Sequence, residues 1–145
     1  MLKEIPSFLP PELLKILMEM GHGDTLVIGD GNFPGASVAE RSRLVRCDGC
    51  GTAKVLDAIL GLMPLDTFIP APVGLMEVVP GDDYTPVIWE EYKDIIAKHE
   101  NREVQIEMIE RQAFYERAKR AYCVVTTSES ARYANILLTK GILEG

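Results

Sequence analysis

Residues 11–30, with the sequence PELLKILMEMGHGDTLVIGD, predict a helix, a glycine turn and a buried strand in direct succession. Proline suits the first turn of a helix, and the acidic Glu12 is favourable beside the positive end of the helix dipole. Apolar side chains then recur at helical spacing as far as Met20, and Gly21 stands where glycine commonly ends a helix. The apolar run 25–29 has the composition of a short buried strand. A helix that leads directly into such a strand is typical of α/β proteins.

The same alternation continues through the rest of the chain. Further helices are predicted at residues 52–63, 86–99 and 111–120, and further strands at 73–79, 104–109, 122–126 and 136–138. Glycine, asparagine and proline cluster at 30–37, which we predict to be a loop, whereas 128–134 is an irregular connection. We therefore expect a mainly parallel sheet flanked by helices, in a single domain that spans residues 1–145. Ligands usually bind such sheets beyond the strand ends, where the loops converge.

The composition argues against several classes of function. Fifteen basic and twenty-two acidic residues give a net charge of −7, whereas a nucleic-acid surface needs basic residues to neutralise phosphates. No apolar run approaches the length of a membrane span. The first residues lack the basic and then apolar layout of a secretory signal, so we predict a cytoplasmic protein without nucleic-acid or membrane partners.

The three cysteines leave a redox alternative open. Cys47 and Cys50 have the C-x-x-C spacing, and Cys123 is alone. A zinc site is not predicted, because no second pair of cysteine or histidine residues supplies the remaining ligands. A thioredoxin-like redox pair lies between a strand and a helix, which the local sequence permits. An odd number of cysteines in a chain without a signal sequence otherwise indicates free thiols.

His22 is the first candidate for acid–base chemistry. It lies between Gly21 and Gly23, whose lack of side chains lets a small molecule approach it. Histidine has the unperturbed pKa nearest neutrality, so it can both give and take a proton. Asp30 follows the strand predicted after His22 and is its candidate carboxylate partner. The structural alternatives are an ordinary structural histidine and an ordinary turn aspartate.

Three polar residues in the second half of the chain are candidate ligand contacts. Arg111 opens a predicted helix, where a cation is unfavourable beside the positive helix end, so another role is indicated. Tyr133 and Asn135 could offer a hydroxyl and an amide to one site. The alternatives are a surface salt bridge for the arginine and capping of the last strand for the other two. His99, at the end of a charged helix, is predicted to be a solvated cap.

Five motifs keep a consistent order along almost the whole chain. They are Pro11-Glu12-Leu13-Leu14-Lys15, Met20-Gly21-His22-Gly23-Asp24, Asp30-x-x-Phe33-Pro34, Phe114-Tyr115-Glu116-Arg117-Ala118 and Tyr133-Ala134-Asn135-Ile136-Leu137-Leu138-x-Lys140-Gly141. In sequence and approximate spacing, they resemble the motifs of the ribose pyranase/fucose mutarotase family. The segment from Arg111 to Ala118 is more similar to the L-fucose mutarotase branch than to the ribose pyranases.

The resemblance implies a small α/β fold with a parallel sheet, assembled into pentameric rings or decamers with sites near subunit contacts. It implies His22 and Asp30 as catalytic residues, with Asp30 also binding substrate. Arg111, Tyr133 and Asn135 are then the further substrate contacts. No cofactor or metal is implied, since sugar rings already open spontaneously in water.

The implied reaction is the interconversion of the α and β anomers of L-fucose by acid–base ring opening and closure. Asp30 would orient or stabilise the His22 imidazole or bind a hydroxyl, and Phe33 or Tyr115 could pack on the apolar face of the sugar. Asn32 is a departure, because fucose mutarotases often have a histidine there and an asparagine cannot shuttle protons near neutrality. Two alternatives stay open: a D-ribose pyranase that interconverts pyranose and furanose forms, and a monosaccharide-binding protein without turnover.

Overall fold

Helices and strands alternate along the chain in the computed structural model, which describes all residues from Met1 to Gly145. The five helices are α1 (Pro11–Glu19), α2 (Gly35–Val38), α3 (Thr52–Leu60), α4 (Ile88–His99) and α5 (Arg111–Lys119). The six strands are β1 (Thr25–Gly29), β2 (Arg43–Cys47), β3 (Val73–Met76), β4 (Ile106–Ile109), β5 (Cys123–Thr127) and β6 (Ile136–Thr139). None of the helices has the length and apolar character needed to cross a membrane.

All six strands form one sheet, in the order β2-β5-β1-β6-β3-β4. The strands β1 and β2 both pair in parallel with β5, and β3 pairs in parallel with β4. The strand β6 runs antiparallel to both of its neighbours, β1 and β3. The predicted α/β fold, with a mainly parallel sheet flanked by helices, is therefore confirmed, with one reversed strand inside the sheet.

The reversal of β6 follows from the length of the connection before it. Residues 128–135 leave the carboxyl end of β5 and pass the end of β1, where the N–H of Gly31 donates to the carbonyl oxygen of Glu129 at 2.8 Å. A parallel crossover needs about a dozen residues or more to return to the other edge of the sheet. This connection is shorter, so the chain re-enters the sheet from the edge at which it left. Residues 128–135 consequently lie beside Asp30, the first residue after β1.

Two elements differ from the sequence prediction. The edge strand β2 was not predicted, because its two arginines are exposed and only Val45 and Cys47 are buried, so its apolar content is low. The helix α2 is a single turn inside the segment 30–37, which was predicted to be a loop. Two further elements end earlier than predicted, since α3 ends at Leu60 and β3 at Met76.

Two apolar clusters lie on opposite faces of the sheet. Alternate residues of a strand point to opposite faces, and Leu26 and Ile28 of β1 accordingly belong to the larger cluster, whereas Val27 belongs to the smaller one. The helices α1, α3 and α4 pack on the first face, and α2 and α5 pack on the second. Tyr92 of α4 and Phe114 of α5 are among the largest side chains that are fully buried. Because helices cover both faces, a ligand finds open space at the strand ends.

One edge of the sheet collects the carboxyl ends of β1, β3 and β4 together with the amino end of β6. The helix α5 begins at this edge as well, one residue after β4 ends. Asp30 follows β1, Arg111 opens α5, and Asn135 precedes β6, so all three residues reach the same edge. Parallel sheets usually bind their ligands there.

Candidate active site

A cavity of about 390 Å³ opens at this edge of the sheet. Four of the five predicted site residues line it: Asp30, Arg111, Tyr133 and Asn135. The remaining lining residues are the polar Asn32 and Arg132 and the largely apolar Phe33, Met76, Val79 and Tyr115. Small-molecule sites commonly have volumes in this range. The cavity therefore offers both hydrogen-bonding groups and apolar surface to a ligand of that size.

Asp30 is held at the cavity by backbone hydrogen bonds. Only 6% of the residue is exposed, and its carboxylate accepts a hydrogen bond from the N–H of Asn32 at 2.9 Å. Burial raises the pKa of the Asp30 carboxyl, although the N–H groups of Asn32, Ala134 and Phe33 act in the opposite direction. A raised pKa brings proton exchange by this carboxyl nearer to neutral pH.

The orientation of the Asn135 side chain is fixed by Asp30. The backbone N–H of Asp30 donates to Asn135 Oδ1 at 2.8 Å. Since an N–H needs an acceptor, the amide oxygen must face Asp30 and the NH₂ group must point the other way. That NH₂ group has no hydrogen-bond partner within the chain, and it is not enclosed. Asn135 is consequently a free hydrogen-bond donor at the cavity.

Tyr133 has a left-handed backbone conformation, with a φ of 59°, which is uncommon for a bulky residue. Three hydrogen bonds hold it there, one of which the backbone N–H of Val79 donates to the Tyr133 hydroxyl at 3.4 Å. The Tyr133 carbonyl oxygen accepts the indole N–H of Trp89 at 2.8 Å, and the Tyr133 hydroxyl donates to the carboxylate of Asp82 at 2.7 Å. The hydrogen bond to Asp82 raises the pKa of Tyr133. The cavity is therefore lined by a neutral phenol in a fixed orientation.

Arg111 occupies the first position of α5. The preceding residue, Glu110, caps the helix by accepting the N–H of Ala113 at 3.0 Å. The Arg111 guanidinium lies 5.2 Å from the centre of the Tyr115 ring. None of the ion pairs that arginines make in the chain involves it. The surface salt bridge, which was the structural alternative for Arg111, is thus not formed. The N–H donors of the Arg111 guanidinium are free for a ligand.

His22 lies beyond the other end of β1 and does not line the cavity. A strand rises about 3.3 Å per residue, so β1 separates it from Asp30 by on the order of 15 Å. The His22 Nε2 atom lies 2.9 Å from Asp66 Oδ1, and the ring packs on Phe68 with 4.9 Å between ring centres. Within one chain, the carboxylate partner of His22 is therefore Asp66 rather than the predicted Asp30.

Three residues of this arrangement were missed by the sequence analysis: Asp66, Asp82 and Trp89. Each contacts its partner across 44 to 51 positions of the chain. Asp82 lies in the sequence Pro-Gly-Asp-Asp, which is typical of a turn, and the other two carry no local motif. Patterns of neighbouring residues cannot reveal such contacts, because the fold alone brings the partners together.

The three cysteines are free and buried. Burial raises the pKa of Cys47 to about 11 and the pKa of Cys123 to about 12, so both are thiols near neutral pH. Cys47 ends β2 and Cys50 lies shortly before α3, which is the context that a redox pair requires. A buried, protonated thiol is nevertheless a poor nucleophile, and the redox alternative is disfavoured.

Comparison with known proteins identifies relatives of this chain by sequence and by fold. Residues 3–143 match the RbsD / FucU transport protein family. The chain is similar to the L-fucose mutarotase of Actinobacillus pleuropneumoniae serotype 5b (strain L20), with 46% identity over 142 residues that cover 98% of this chain and 97% of the relative. It is also similar to the crystal structure of FucU from Bifidobacterium longum, with 52% identity, a TM-score of 0.94, and coverage of 97% of this chain and 99% of the other.

A third similarity is to the fucose mutarotase from Streptococcus pneumoniae, whose crystal structure was solved in complex with L-fucose. Identity is 48%, the TM-score is 0.92, and the match covers 99% of this chain and 100% of the other. The structure of Bacillus subtilis RbsD complexed with D-ribose shares the fold with a TM-score of 0.78 but only 21% identity. The family that the sequence motifs predict is confirmed, and the chain belongs to the RbsD/FucU family.

Proposed function

We propose that this protein interconverts the α and β anomers of L-fucose. The observation that carries the proposal is the cavity in which Asp30, Arg111, Tyr133 and Asn135 meet beside aromatic rings. The polar side chains suit the hydroxyl groups of a sugar, and the rings suit its apolar face. Relatives of 46% and 48% identity are named as fucose mutarotases, and the second was solved with L-fucose bound.

The reaction requires proton transfer only. To open the ring, a base takes the proton of the anomeric hydroxyl, the bond between C1 and the ring oxygen breaks, and an acid protonates the ring oxygen. Reclosure on the other face of the aldehyde reverses each transfer and yields the other anomer. We assign the two transfers to His22 and to Asp30, whose pKa is raised by burial. Arg111, Tyr133 and Asn135 hold the sugar by hydrogen bonds.

The cavity and His22 come, in this proposal, from different copies of the chain. His22 lies beyond the far end of β1 with 42% of its side chain exposed, and Phe68, which packs against it, is 68% exposed. A homo-oligomer in which His22 of one copy faces the cavity of its neighbour would complete the site. A closed ring repeats one contact in every subunit, so all sites are completed in the same way. A pentameric ring or a decamer meets this requirement.

The proposed compartment is the cytoplasm. All three cysteines are free and buried, with no disulfide between them. Free thiols are usual in a reducing compartment, which supports this location.

Magnetisation transfer between the anomeric proton signals of L-fucose measures the exchange rate with and without the protein. We expect wild type to accelerate the exchange and His22→Ala to lose about 10²–10⁴-fold of that acceleration. The matched control is His99→Ala, which removes the only other histidine, a residue paired with Asp57 elsewhere in the molecule. Absence of acceleration by wild type would overturn the function, and full acceleration by His22→Ala would overturn the role of His22.

The same measurement separates the two alternatives. Faster pyranose–furanose exchange of D-ribose, without faster exchange of L-fucose, would favour a ribose pyranase. Calorimetric binding of L-fucose without faster anomer exchange would favour a monosaccharide-binding protein. Asn32, which lines the cavity and cannot shuttle protons near neutrality, is the residue that raises this second alternative.

A further inference from the structure

The loop 77–87, which joins β3 to α4, brings one carboxylate to the rim of the cavity. This carboxylate belongs to Asp82, whose side chain is 18% exposed. Asp82 Oδ2 accepts the hydroxyl of Tyr133 at 2.7 Å, and Asp82 Oδ1 accepts the N–H of Tyr84 at 3.0 Å. The two oxygens therefore have different partners: Oδ1 closes a turn inside the loop, and Oδ2 holds a side chain that lines the cavity.

Further contacts fix the place of Asp82 in this loop. Its N–H donates to the carbonyl oxygen of Val79 at 3.1 Å, across a turn in which Gly81 has a φ of 90° that glycine adopts readily. Arg132 Nη1 lies 3.3 Å from Asp82 Oδ2, and the Arg132 guanidinium lies 4.2 Å from the centre of the Tyr84 ring. Movement of Asp82 away from the cavity would break these contacts.

The ionisation of Asp82 decides the direction of its hydrogen bond to Tyr133. The hydrogen bonds from the Tyr133 hydroxyl and from the N–H of Tyr84 lower the pKa of Asp82, so its carboxylate is ionised at neutral pH. An ionised carboxylate accepts hydrogen bonds and cannot donate them. A phenol has one proton, and Tyr133 gives that proton to the hydrogen bond with Asp82. The Tyr133 oxygen consequently has no proton left to donate to a ligand.

We propose that Asp82 is a positioning residue that makes the Tyr133 hydroxyl a hydrogen-bond acceptor for the sugar. In this role, which rests on the proposed function, Asp82 selects a ligand that has a free hydroxyl facing Tyr133. The ring oxygen of a sugar cannot bind there, because it too can only accept. The amide NH₂ of Asn135 and the guanidinium of Arg111 supply donors elsewhere in the cavity. The cavity thus offers the sugar both donors and an acceptor at fixed places.

The variant Asp82→Asn should reverse the direction of this hydrogen bond. The amide oxygen should keep the place of Oδ1, because the N–H of Tyr84 needs an acceptor there. The amide NH₂ then takes the place of Oδ2 and donates to the oxygen of Tyr133. The O–H of Tyr133 becomes free to donate to the ligand. Since the turn of the loop is kept, binding differences between variant and wild type report the direction of the hydrogen bond.

Fluorinated sugars measure that direction, because a C–F group cannot donate a hydrogen bond. Calorimetry compares L-fucose with derivatives in which fluorine replaces each ring hydroxyl in turn. At the position that faces Tyr133, we expect fluorine to weaken binding to wild type by about tenfold to a hundredfold. Asp82→Asn should recover most of that loss and still bind L-fucose, whose hydroxyl can accept as well as donate. Recovery at no position would overturn the inference.

Asp83→Asn is the matched control. Asp83 is exposed and removes the same charge from the same loop when substituted, but it contacts neither Tyr133 nor Tyr84. We expect the fluorinated derivatives to bind Asp83→Asn as they bind wild type. Equal recovery in Asp83→Asn and Asp82→Asn would show an effect of the charge of the loop, and would contradict the role of Asp82.

The proton of Tyr133 can also be followed without any sugar. A pH titration of protein labelled with [ζ-¹³C]tyrosine reports the ionisation of each phenol, and Tyr133→Phe identifies the signal. The hydrogen bond to Asp82 raises the pKa of Tyr133 in wild type. We expect a lower pKa of Tyr133 in Asp82→Asn and no change in Asp83→Asn. Failure of wild type to bind L-fucose would contradict the proposed function, whereas an unchanged pKa of Tyr133 in Asp82→Asn would overturn the role of Asp82 by itself.

Discussion

The backbone N–H of Asp30 donates to the side-chain oxygen of Asn135 at 2.8 Å. These residues stand at adjoining ends of β1 and β6, whose antiparallel register pairs Ile28 with Ile136. The hydrogen bond therefore joins the end of one strand to the start of its neighbour, at the floor of the cavity. Both side chains are positioned by the central pair of strands rather than by flexible loops.

The first prediction concerns this hydrogen bond. Asn135→Ala leaves the buried N–H of Asp30 without its acceptor, which costs about 1–3 kcal/mol of unfolding free energy. Urea denaturation measures the loss. Asn101→Ala is the control, because Asn101 is exposed in a turn and should alter stability by less than about 0.5 kcal/mol. Equal stability of the two variants would contradict the role assigned to Asn135.

The second prediction concerns Asp30 and pH. A carboxyl whose pKa is raised by folding binds its proton more tightly in the folded chain than in the unfolded chain. Ionised Asp30 therefore lowers stability at neutral pH, and this loss is recovered as the pH falls through the folded-state pKa. We expect Asp30→Asn to be more stable than wild type at neutral pH, with a difference that shrinks as the pH falls, and to be inactive.

Denaturant midpoints of wild type and Asp30→Asn, measured across that pH range, show which of the two proteins is more stable at each pH. Asp48→Asn is the comparison, since 63% of the Asp48 side chain is exposed beside Arg46 and a surface pair of this kind contributes little. If Asp30→Asn were less stable than wild type at neutral pH, burial of the charge would not be the dominant effect at this residue.

The third prediction separates binding from stability at Arg111. A cation at the first position of α5 opposes the helix dipole, so Arg111→Gln should raise stability by about 0.3–1 kcal/mol. The same change removes a donor from the cavity, and KM for L-fucose should rise. Lys119→Gln, at the other end of the helix, should have the opposite effect on stability and none on KM. A stable Arg111→Gln with unchanged KM would exclude Arg111 from the site.

The sequence predicts the elements that reach the cavity, because helical spacing and apolar runs are local patterns. It also predicts four side chains that meet there, since Asp30, Arg111, Tyr133 and Asn135 belong to recognisable motifs. The reversal of β6 was open to prediction as well, because the preceding connection is too short for a parallel crossover. The rule on crossover length applies only to strands of the same sheet. The local patterns do not show which strands are neighbours in the sheet.

The contacts of His22 and Tyr133 could not be predicted in the same way. Asp66 lies 44 positions from His22, and Asp82 lies 51 positions from Tyr133. Neither aspartate has a neighbourhood that distinguishes it from a surface or turn residue, and both acquire their roles from tertiary contacts. The distance between His22 and the cavity, in contrast, was open to prediction, because the strand predicted at 25–29 lies between His22 and Asp30 and an extended strand holds its two ends apart.

The fourth prediction concerns the thiols. Burial keeps Cys47 and Cys123 as protonated thiols, so we expect very slow reaction of the native protein with an alkylating reagent near neutral pH. Mass spectrometry of native and denatured protein measures the difference. The double variant Cys47→Ala, Cys50→Ala should retain anomer exchange. A Cys47–Cys50 disulfide in protein purified under mild oxidation would revive the redox alternative.

The fifth prediction tests whether each site is shared between copies of the chain. His22→Ala removes the proposed base, and Arg111→Ala removes a cavity donor, so at L-fucose concentrations far below KM each variant alone should have little activity. Co-expression of the two in equal amounts creates some contacts at which an intact His22 faces an intact cavity. Random assembly then restores activity at about a quarter of the sites. No recovery in the mixed oligomer would contradict the shared site.

A second mixture distinguishes a site that is shared between neighbouring copies from a site that lies within one chain. The double variant His22→Ala, Arg111→Ala, co-expressed in equal amount with wild type, contributes neither group to any site. If each site lies within one chain, about half of the sites stay active, whereas a site shared between neighbours leaves about a quarter. The two mixtures should therefore have equal activity when His22 acts across the subunit contact. Mixtures that differ, with the first inactive and the second at half activity, would require His22 to reach the cavity of its own chain. The length of β1 between His22 and Asp30 argues against that arrangement.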